Sequence, residues 1–291
     1  MPLIKFNPYI DHIFTNFHLL NSIKFDIVYS LEDEDEIADQ VSKLNFEIIH
    51  GSYILDGTFD YTASSKEWFD MGLRSKFGKP YADNLKKQNT KTHGEIFSKI
   101  FNVNCPIYNF YNDLNANETP ERNSLQQKRI KIGLNLTAGK RWPSKSLPTP
   151  EMEILIDTLI NKGGSLLKIY LIGGRDELQV IKGLCSLFKD KVDYVDTSKS
   201  PLDLALLIST LDLLISSDSL SMHLAIAQHI PAIAFFTVTS AAEIGSDSYL
   251  KKIVSNSTDY CSFKPFGDNS SPSANDICKA IDWDNLLNSA E

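Results

Sequence analysis

The sequence predicts an α/β protein, and three observations carry the prediction. From Arg129 onward, short apolar runs alternate with helix-patterned runs of about 10 to 13 residues, the signature of β-α-β units in a parallel sheet. Most of those apolar runs end in Gly, Ser, Asp or Thr, residues that suit a strand-to-helix turn. Near the start, Lys24 to Ser30 and Asn45 to His50 read as strands on either side of a helical pattern. The second half is therefore a doubly wound, Rossmann-like domain, whose ligands bind at the carboxyl ends of the strands.

In chain order, the acidic stretch Glu32 to Lys43 carries Ile37, Val41 and Leu44 at helical spacing. Its run E-D-E-D-E (Glu32 to Glu36) reads as a solvated first turn, where acids complement the helix dipole. From Gly51 to Thr90, loops are expected to dominate, with Glu67 to Leu73 the one convincing short helix. His93 to Phe101 is amphipathic and helical, and the polar segment Asn112 to Asn123 marks a domain boundary.

The regular part follows. Ile130 to Leu136 is a strand, and the helix after it starts with Thr149 as N-cap and Pro150 at the first helical position. Its apolar face is Met152, Leu155, Ile156, Leu159 and Ile160, and Gly163 and Gly164 stop it. Leu166 to Ile172, Val192 to Val195, Leu211 to Ser216 and Pro231 to Phe236 are further strands. Asp176 to Phe188, Pro201 to Ser209 and Ser219 to His229 are the helices between them.

Composition narrows the partners. The chain has 291 residues, 42% of them hydrophobic, and a formal net charge of −8. Without a Lys/Arg-rich tract, nucleic acid and anionic membrane are excluded as main partners. No apolar run reaches the roughly 18 to 20 residues of a spanning helix, and the start M-P-L-I-K-F-N-P lacks the order of a signal peptide. A cytoplasmic protein is expected, touching a membrane only peripherally through its acceptor. The four cysteines, Cys105, Cys185, Cys261 and Cys278, are scattered, so reduced thiols are expected, with no zinc site.

The strand ends bring distinctive residues to one sheet edge. After the first strand of the second half come Thr137, Lys140, Arg141, Trp142 and Lys145; after the second, Gly173, Gly174, Asp176 and Glu177. After the fourth come Asp218, Ser219 and His223, and after the fifth Thr237 and Thr239. Ser217, Asp218 and Ser219 are all competent N-caps of a helix whose open amides and positive dipole end suit a phosphate. The plainer roles stay open: Asp218 as a mere cap, His223 as a satisfied histidine, the lysines as loop cations. Neither G-x-G-x-x-G nor G-x-x-x-x-G-K-[ST] occurs, so any phosphate is held without those motifs.

The pieces G-L-N-L-T-A-G-K-R-W-P-S-K (Gly133 to Lys145), L-I-G-G-R-D-E (Leu171 to Glu177), S-D-S-L-S-M-H-L-A-I-A (Ser217 to Ala227) and T-S-A-A-E-I (Thr239 to Ile244) together resemble glycosyltransferase family 9. These are the ADP-heptose:lipopolysaccharide heptosyltransferases and their relatives. The resemblance is strong over about 129–265 and looser before it, at Asn7 to Asp11, Phe25 to Ser30 and Trp68 to Leu73. It implies a GT-B-like architecture of two Rossmann-like domains, the N-terminal one truncated. Residues 1–125 would be the incomplete acceptor-side domain and 126–291 the nucleotide-sugar domain.

By position, the resemblance implies that Lys145 faces the donor diphosphate, Glu177 holds the nucleoside and Asp218 hydrogen-bonds the sugar. Ser219 and the amides after it would receive the phosphate. Asn135, Thr137, Gly173, His223 and Thr239 complete the implied donor set. No cofactor and no metal are implied beyond the nucleotide sugar itself, which would be ADP-linked.

The sequence also departs from the family. The usual base is a carboxylate in a Gly-Asp loop that would precede Asn7, so no catalytic base is assigned. Asp26, Asp33 and Asp35 are the nearest acids, and spacing singles out none of them. Thr237-Val238 stands where the family has Gly-Pro. Of a cysteine cluster found in some relatives, only Cys261 and Cys278 remain, too few for a four-ligand site. The implied function is a metal-independent, inverting transfer of heptose or a related sugar to a glycan, lipopolysaccharide core or protein acceptor. The alternative is a truncated or degenerate member that binds nucleotide sugar, or a partner, without turnover.

Overall fold

Local sequence pattern places most elements, and long-range pairing orders them. The computed structural model describes residues 3–104, 110, 129–198, 200–245 and 248–288. Their contacts divide into two units, a smaller one from 10–107 and 242–245 and a larger one from the described parts of 1–9, 108–241 and 246–291. The boundary expected between 125 and 126 lies outside the described residues.

In the smaller unit, β1 (Lys24–Ser30) and β2 (Asn45–Leu55) pair in parallel across α1 (Asp35–Ser42). This is the expected β-α-β unit, with Ala38 and Val41 on the buried side of α1. Asp35 and Glu36 occupy the first turn of α1, and Asp35 is engaged by Arg74. Gly51 is required where it stands: its φ is +123° and a Cβ there would lie 1.8 Å from the Ser30 carbonyl oxygen.

The loop-dominated reading of 51–90 is corrected. β2 runs on to Leu55 and turns through Asp56 and Gly57, both at positive φ, into the antiparallel β3 (Thr58–Tyr61). Asp-Gly is the sequence signal for such a hairpin, because both central residues must adopt left-handed φ. After the short α2 (Lys66–Asp70), a further helix, α3 (Lys79–Gln88), also falls in the segment read as loop. It buries only Ala82, so it has almost no apolar periodicity to betray it. α4 (His93–Phe101) is as expected, opened by a capping box between Thr92 and Glu95. Met71, Ile96 and Ile100 form the core beneath α2 and α4.

In the larger unit, six parallel strands are ordered β6-β5-β4-β7-β8-β9. They are β4 (Ile130–Asn135), β5 (Leu167–Gly173), β6 (Val192–Asp196), β7 (Leu213–Ser217), β8 (Ala232–Phe236) and β9 (Leu250–Val254). Numbered within this unit the order is 3-2-1-4-5-6, the Rossmann order, which reverses direction between β4 and β7. Every residue of β7 and β8 is buried, as expected of strands covered on both faces.

The connecting helices are α5 (Thr149–Gly163), α6 (Leu178–Phe188), α7 (Pro201–Ser209) and α8 (Leu220–Ala227). Met152, Leu155, Ile156 and Leu159 of α5 are buried as its periodicity requires, each contributing about 1.5–3 kcal/mol by leaving water. The N-cap of α5 is Pro148 and Thr149 is already helical, one residue from the expected start. β9, α9 (Ala274–Ala280) and α10 (Trp283–Asn288) were not legible in the sequence. β9 reads L-K-K-I-V, and its lysines hide the strand by reaching back to carbonyls of the fold, Lys251 to Ala280 and Lys252 to Ala241.

Candidate active site

The reversal between β4 and β7 puts Asn135 beside Ser216, its partner in register. Asn135 Nδ2 donates to Ser221 Oγ at 2.5 Å and to Ser219 Oγ at 3.3 Å, while Ser216 Oγ and Ser219 Oγ are 3.0 Å apart. This network shapes the turn into α8. Of the three candidate caps, Ser219 holds the N-cap position, with φ −154° and ψ 173°, yet makes no side-chain cap bond. Its hydroxyl is turned to Asn135 and Ser216 instead. The first amides of α8 are thus not served by the cap side chain, leaving the positive end of the helix for an anion.

Asp218 is no cap, because its carboxylate belongs to Lys145. Lys145 Nζ donates to Asp218 Oδ2 at 2.8 Å and approaches the Asp218 carbonyl at 3.4 Å. The two side chains are only 19% and 15% exposed, and the ammonium also lies 5.5 Å from the centre of the Trp142 ring. Water is largely excluded, so the attraction is far less screened than in a surface pair.

The loop holding Lys145 is anchored on both sides. Leu147 N–H donates to the Leu136 carbonyl at 2.8 Å, and Ala138 N–H to Ser146 Oγ at 3.0 Å. Buried Ser144 donates through Oγ to the Lys264 carbonyl at 2.7 Å, and its own carbonyl accepts from Thr237 Oγ1 at 2.6 Å. Thr237, noted as a departure from the family pattern, therefore fastens the lysine loop to the end of β8.

A second arm forms at the end of β5. Glu177 Oε2 accepts from Gly174 N–H at 2.8 Å, and a Cβ on Gly139 would lie 3.2 Å from Glu177 Oε1. Gly173 has a packing reason as well: a Cβ there would meet Ile181 Cδ1 at 2.5 Å. Lys140 pairs with Asp176 at 3.2 Å on the surface. Ser217 Oγ donates to the Thr137 carbonyl at 3.2 Å, so the loop 137–142 joins the Glu177 arm to the Asp218 arm.

Thr239 is 5% exposed, and its hydroxyl has no hydrogen-bond partner among the described residues. Most buried hydroxyls are hydrogen-bonded, which sets Thr239 apart from its neighbours. Next to it, Ala241 N–H donates to the Tyr260 hydroxyl at 2.9 Å, and burial pushes the Tyr260 phenol above its usual range. His223 stands exposed on the first turns of α8. Ser144, Ser216 and Ser221 were not given binding roles from the sequence, because what matters in them is a long-range contact.

Among the described residues no group of three or more His, Cys, Asp or Glu side chains is placed to hold a metal ion. Cys105 lies outside the described residues, Cys185 is half-buried, and Cys261 and Cys278 are buried. Burial raises the Cys185 and Cys278 thiols above their usual range. No described helix is long and apolar enough to cross a membrane.

A Rossmann-ordered sheet with a lysine, an open helix N-terminus and a half-buried carboxylate at its switch point defines a doubly wound α/β protein. The chain belongs to glycosyltransferase family 9 (heptosyltransferase), whose model matches residues 79–269. No curated protein matches it in sequence. A family 9 glycosyltransferase from Veillonella parvula shares the fold, with TM-score 0.69 and 16% identity over 99% of this chain and 86% of that one. Heptosyltransferase WaaC of E. coli, solved with ADP, aligns with TM-score 0.55 and 15% identity over 94% of this chain and 76% of that one. The same enzyme with ADP-2-deoxy-2-fluoro heptose aligns with TM-score 0.51 and 16% identity, over 90% and 73%. The fold class is accordingly α/β and GT-B-like.

Proposed function

We propose that the chain transfers a heptose or related sugar from an ADP-linked donor to a hydroxyl of a glycan, lipopolysaccharide core or protein acceptor. The transfer would need no metal ion and would invert the anomeric centre. The observation that carries this reading is the water-poor Lys145–Asp218 pair beside the open N-terminus of α8. Departure of a nucleoside diphosphate leaves developing negative charge, which a fixed ammonium and helix amides stabilise.

In this reading Lys145 keeps one N–H on Asp218 and turns others to the diphosphate, since an ammonium has three donors. Ser219 and the amides after it receive a phosphate oxygen, and Asn135 and Thr137 hold the turn in shape. Asp218 uses its second oxygen on the sugar, and Glu177 takes the nucleoside beside Gly173. Thr239 finds in the donor the partner its hydroxyl lacks, and His223 lies on the same helix. The donor belongs to the larger unit, residues 126–291 in the expected division, and the acceptor to the smaller. The ligands of the two WaaC structures, ADP and ADP-2-deoxy-2-fluoro heptose, support the donor class. We assign the work to the cytoplasm, with any membrane contact made through the acceptor.

Calorimetric titration with ADP is the first test. Micromolar binding that is lost in Lys145→Ala and Asp218→Ala supports the site, and absence of binding to the unaltered chain refutes it. Radiolabelled nucleotide sugar with candidate acceptors then tests transfer, and the anomeric configuration of the product tests inversion.

A further inference from the structure

In the smaller unit the sheet order is β1-β2-β3, and among the described residues β1 pairs only with β2. The other edge of this seven-residue strand is open, and an edge strand presents a row of unpaired N–H and C=O groups. We propose that β1 pairs with β1 of a second copy of this chain, antiparallel and about a two-fold axis at Phe25, so that one sheet runs through a dimer. The inference is independent of the donor reading above.

The open edge carries an apolar face. Side chains alternate along a strand, so Phe25, Ile27 and Tyr29 share one face, beside Phe46, Ile48 and His50 of β2 in register. The Tyr29 end of that face is covered: its ring stacks on His50 at 5.2 Å and meets Phe101 of α4 edge-on at 4.7 Å. The other end is not. Ile27 is 45% exposed and Ile48 49%, next to partly exposed Phe25 and Phe46. Edge strands are commonly blunted by proline, a bulge or clustered charge, whereas β1, K-F-D-I-V-Y-S, has no proline and only Lys24 and Asp26 as charges.

The opposite face says what the occupant is. Lys24 and Asp26 lie there, and Asp26 stands beside Glu47, between the registered pairs Phe25–Phe46 and Ile27–Ile48. Lys24 Nζ is bound to Glu47 Oε1 at 2.6 Å, and Lys43, just after α1, is bound to Asp39. Asp26 is therefore an exposed carboxylate next to a like charge, with no ion-pair partner among the described residues. A strand that brings a lysine opposite Asp26 relieves it, and β1 itself is such a strand.

In an antiparallel pair centred on Phe25, residues equally far from Phe25 on either side face each other. Lys24 then meets the partner's Asp26, Asp26 meets the partner's Lys24, Ile27 meets the partner's Ile23, and Phe25 meets its own copy. Centring the pair on Ile27 instead would set Asp26 against the partner's Val28 and Lys24 against the partner's Ser30, so the charges select Phe25. Each ammonium serves its own Glu47 and the partner's Asp26, as its three donors allow. The negative charge is lowered rather than cancelled. Backbone bonds and the Phe25 and Ile27 contacts supply the affinity, and the charges set partner and register.

The test is sedimentation equilibrium on the full chain. Between about 1 and 100 μM, a range suited to a contact at the small end of specific interfaces, a monomer of 32.7 kDa should pass into a dimer. Asp26→Lys and Lys24→Asp should each weaken self-association at least about tenfold, by setting like charges across the seam. Mixed in equal amounts, the two variants should associate with each other at least about tenfold more tightly than either does with itself, since each supplies the charge the other lacks. The chain carrying both substitutions should self-associate again. Lys24 and Asp26 are exposed, so these variants keep the fold, as circular dichroism would verify. A native chain that stays monomeric throughout, a dimer that neither single variant weakens, or a mixture no tighter than its components overturns the proposal.

Discussion

Lys145 Nζ lies 2.8 Å from Asp218 Oδ2, and the two residues are 73 positions apart in the chain. One comes from the loop after β4 and the other from the turn after β7, the adjacent strands at which the order of the sheet reverses. The pair is thus a product of topology, and it sets the electrostatics of the site before any ligand arrives. Asp218 holds the ammonium at the crevice, and the carboxylate keeps a second oxygen to offer.

Lys145→Ala should reduce ADP affinity by at least about tenfold, the worth of a hydrogen bond to a charged group in a water-poor site. Asp218→Ala should also reduce it, by releasing the lysine. Because both act through one ammonium, the double variant should bind ADP no worse than Lys145→Ala alone. Additive losses in calorimetry would show that the pair does not act as a unit.

Gly173→Ala places a methyl 2.5 Å from Ile181 Cδ1. Overpacking of this kind costs about 1–3 kcal/mol, measurable as a lowered midpoint in urea. Adding Ile181→Val, which shortens the opposing side chain, should recover part of the loss. No recovery would mean that Gly173 is needed for backbone freedom or ligand approach rather than for packing.

Tyr61 should ionise late. Burial pushes its phenol from 10.0 up to about 12; the Lys76 N–H donated to it acts against this, and its bond to Asp70 adds to it. The folded chain therefore keeps the proton where the unfolded chain loses it. The stabilisation is complete below pH 10 and is lost as pH rises from 10 to about 12. Tyr61→Phe should remove one late phenolate transition from the absorbance titration, and the variant should lose less stability over that interval than the native chain.

The capping box of α9 predicts the opposite sign. Ser273 Oγ donates to Asp276 Oδ2 at 2.7 Å and Ser273 N–H to the same oxygen at 3.0 Å. These bonds, side chain first, hold the Asp276 carboxyl below its usual value of 3.8. Its contribution is present above that value and lost as pH falls through the lowered one. Ser273→Ala should cost about 1 kcal/mol at neutral pH, and the difference from the native chain should shrink on acidification. A difference constant with pH would detach the cap from the carboxylate.

Much of the larger unit was legible because its signals are local. α7 has the bounds expected of it, and the five expected strands of the sheet, β4 to β8, lie within two residues of theirs, since apolar run and turn residue adjoin in the chain. Where that link was weak the reading failed. α3 buries one alanine, β9 interleaves lysines, and the β2–β3 hairpin depended on recognising Asp56-Gly57 as a turn in a segment read as loop.

The sequence by itself determined the class of fold, the family motifs and the set of residues gathered at one sheet edge, because hydrophobic period and turn chemistry act between near neighbours. Only the tertiary structure decided that Ser219 rather than Asp218 occupies the cap of α8, that Asp218 is bound to Lys145, and that Glu67 is shared by Lys91 and Lys99. Each of these is a choice among competing polar partners. Such choices depend on which strands lie side by side and how little water remains between them, and neither quantity is written in any short stretch of the chain.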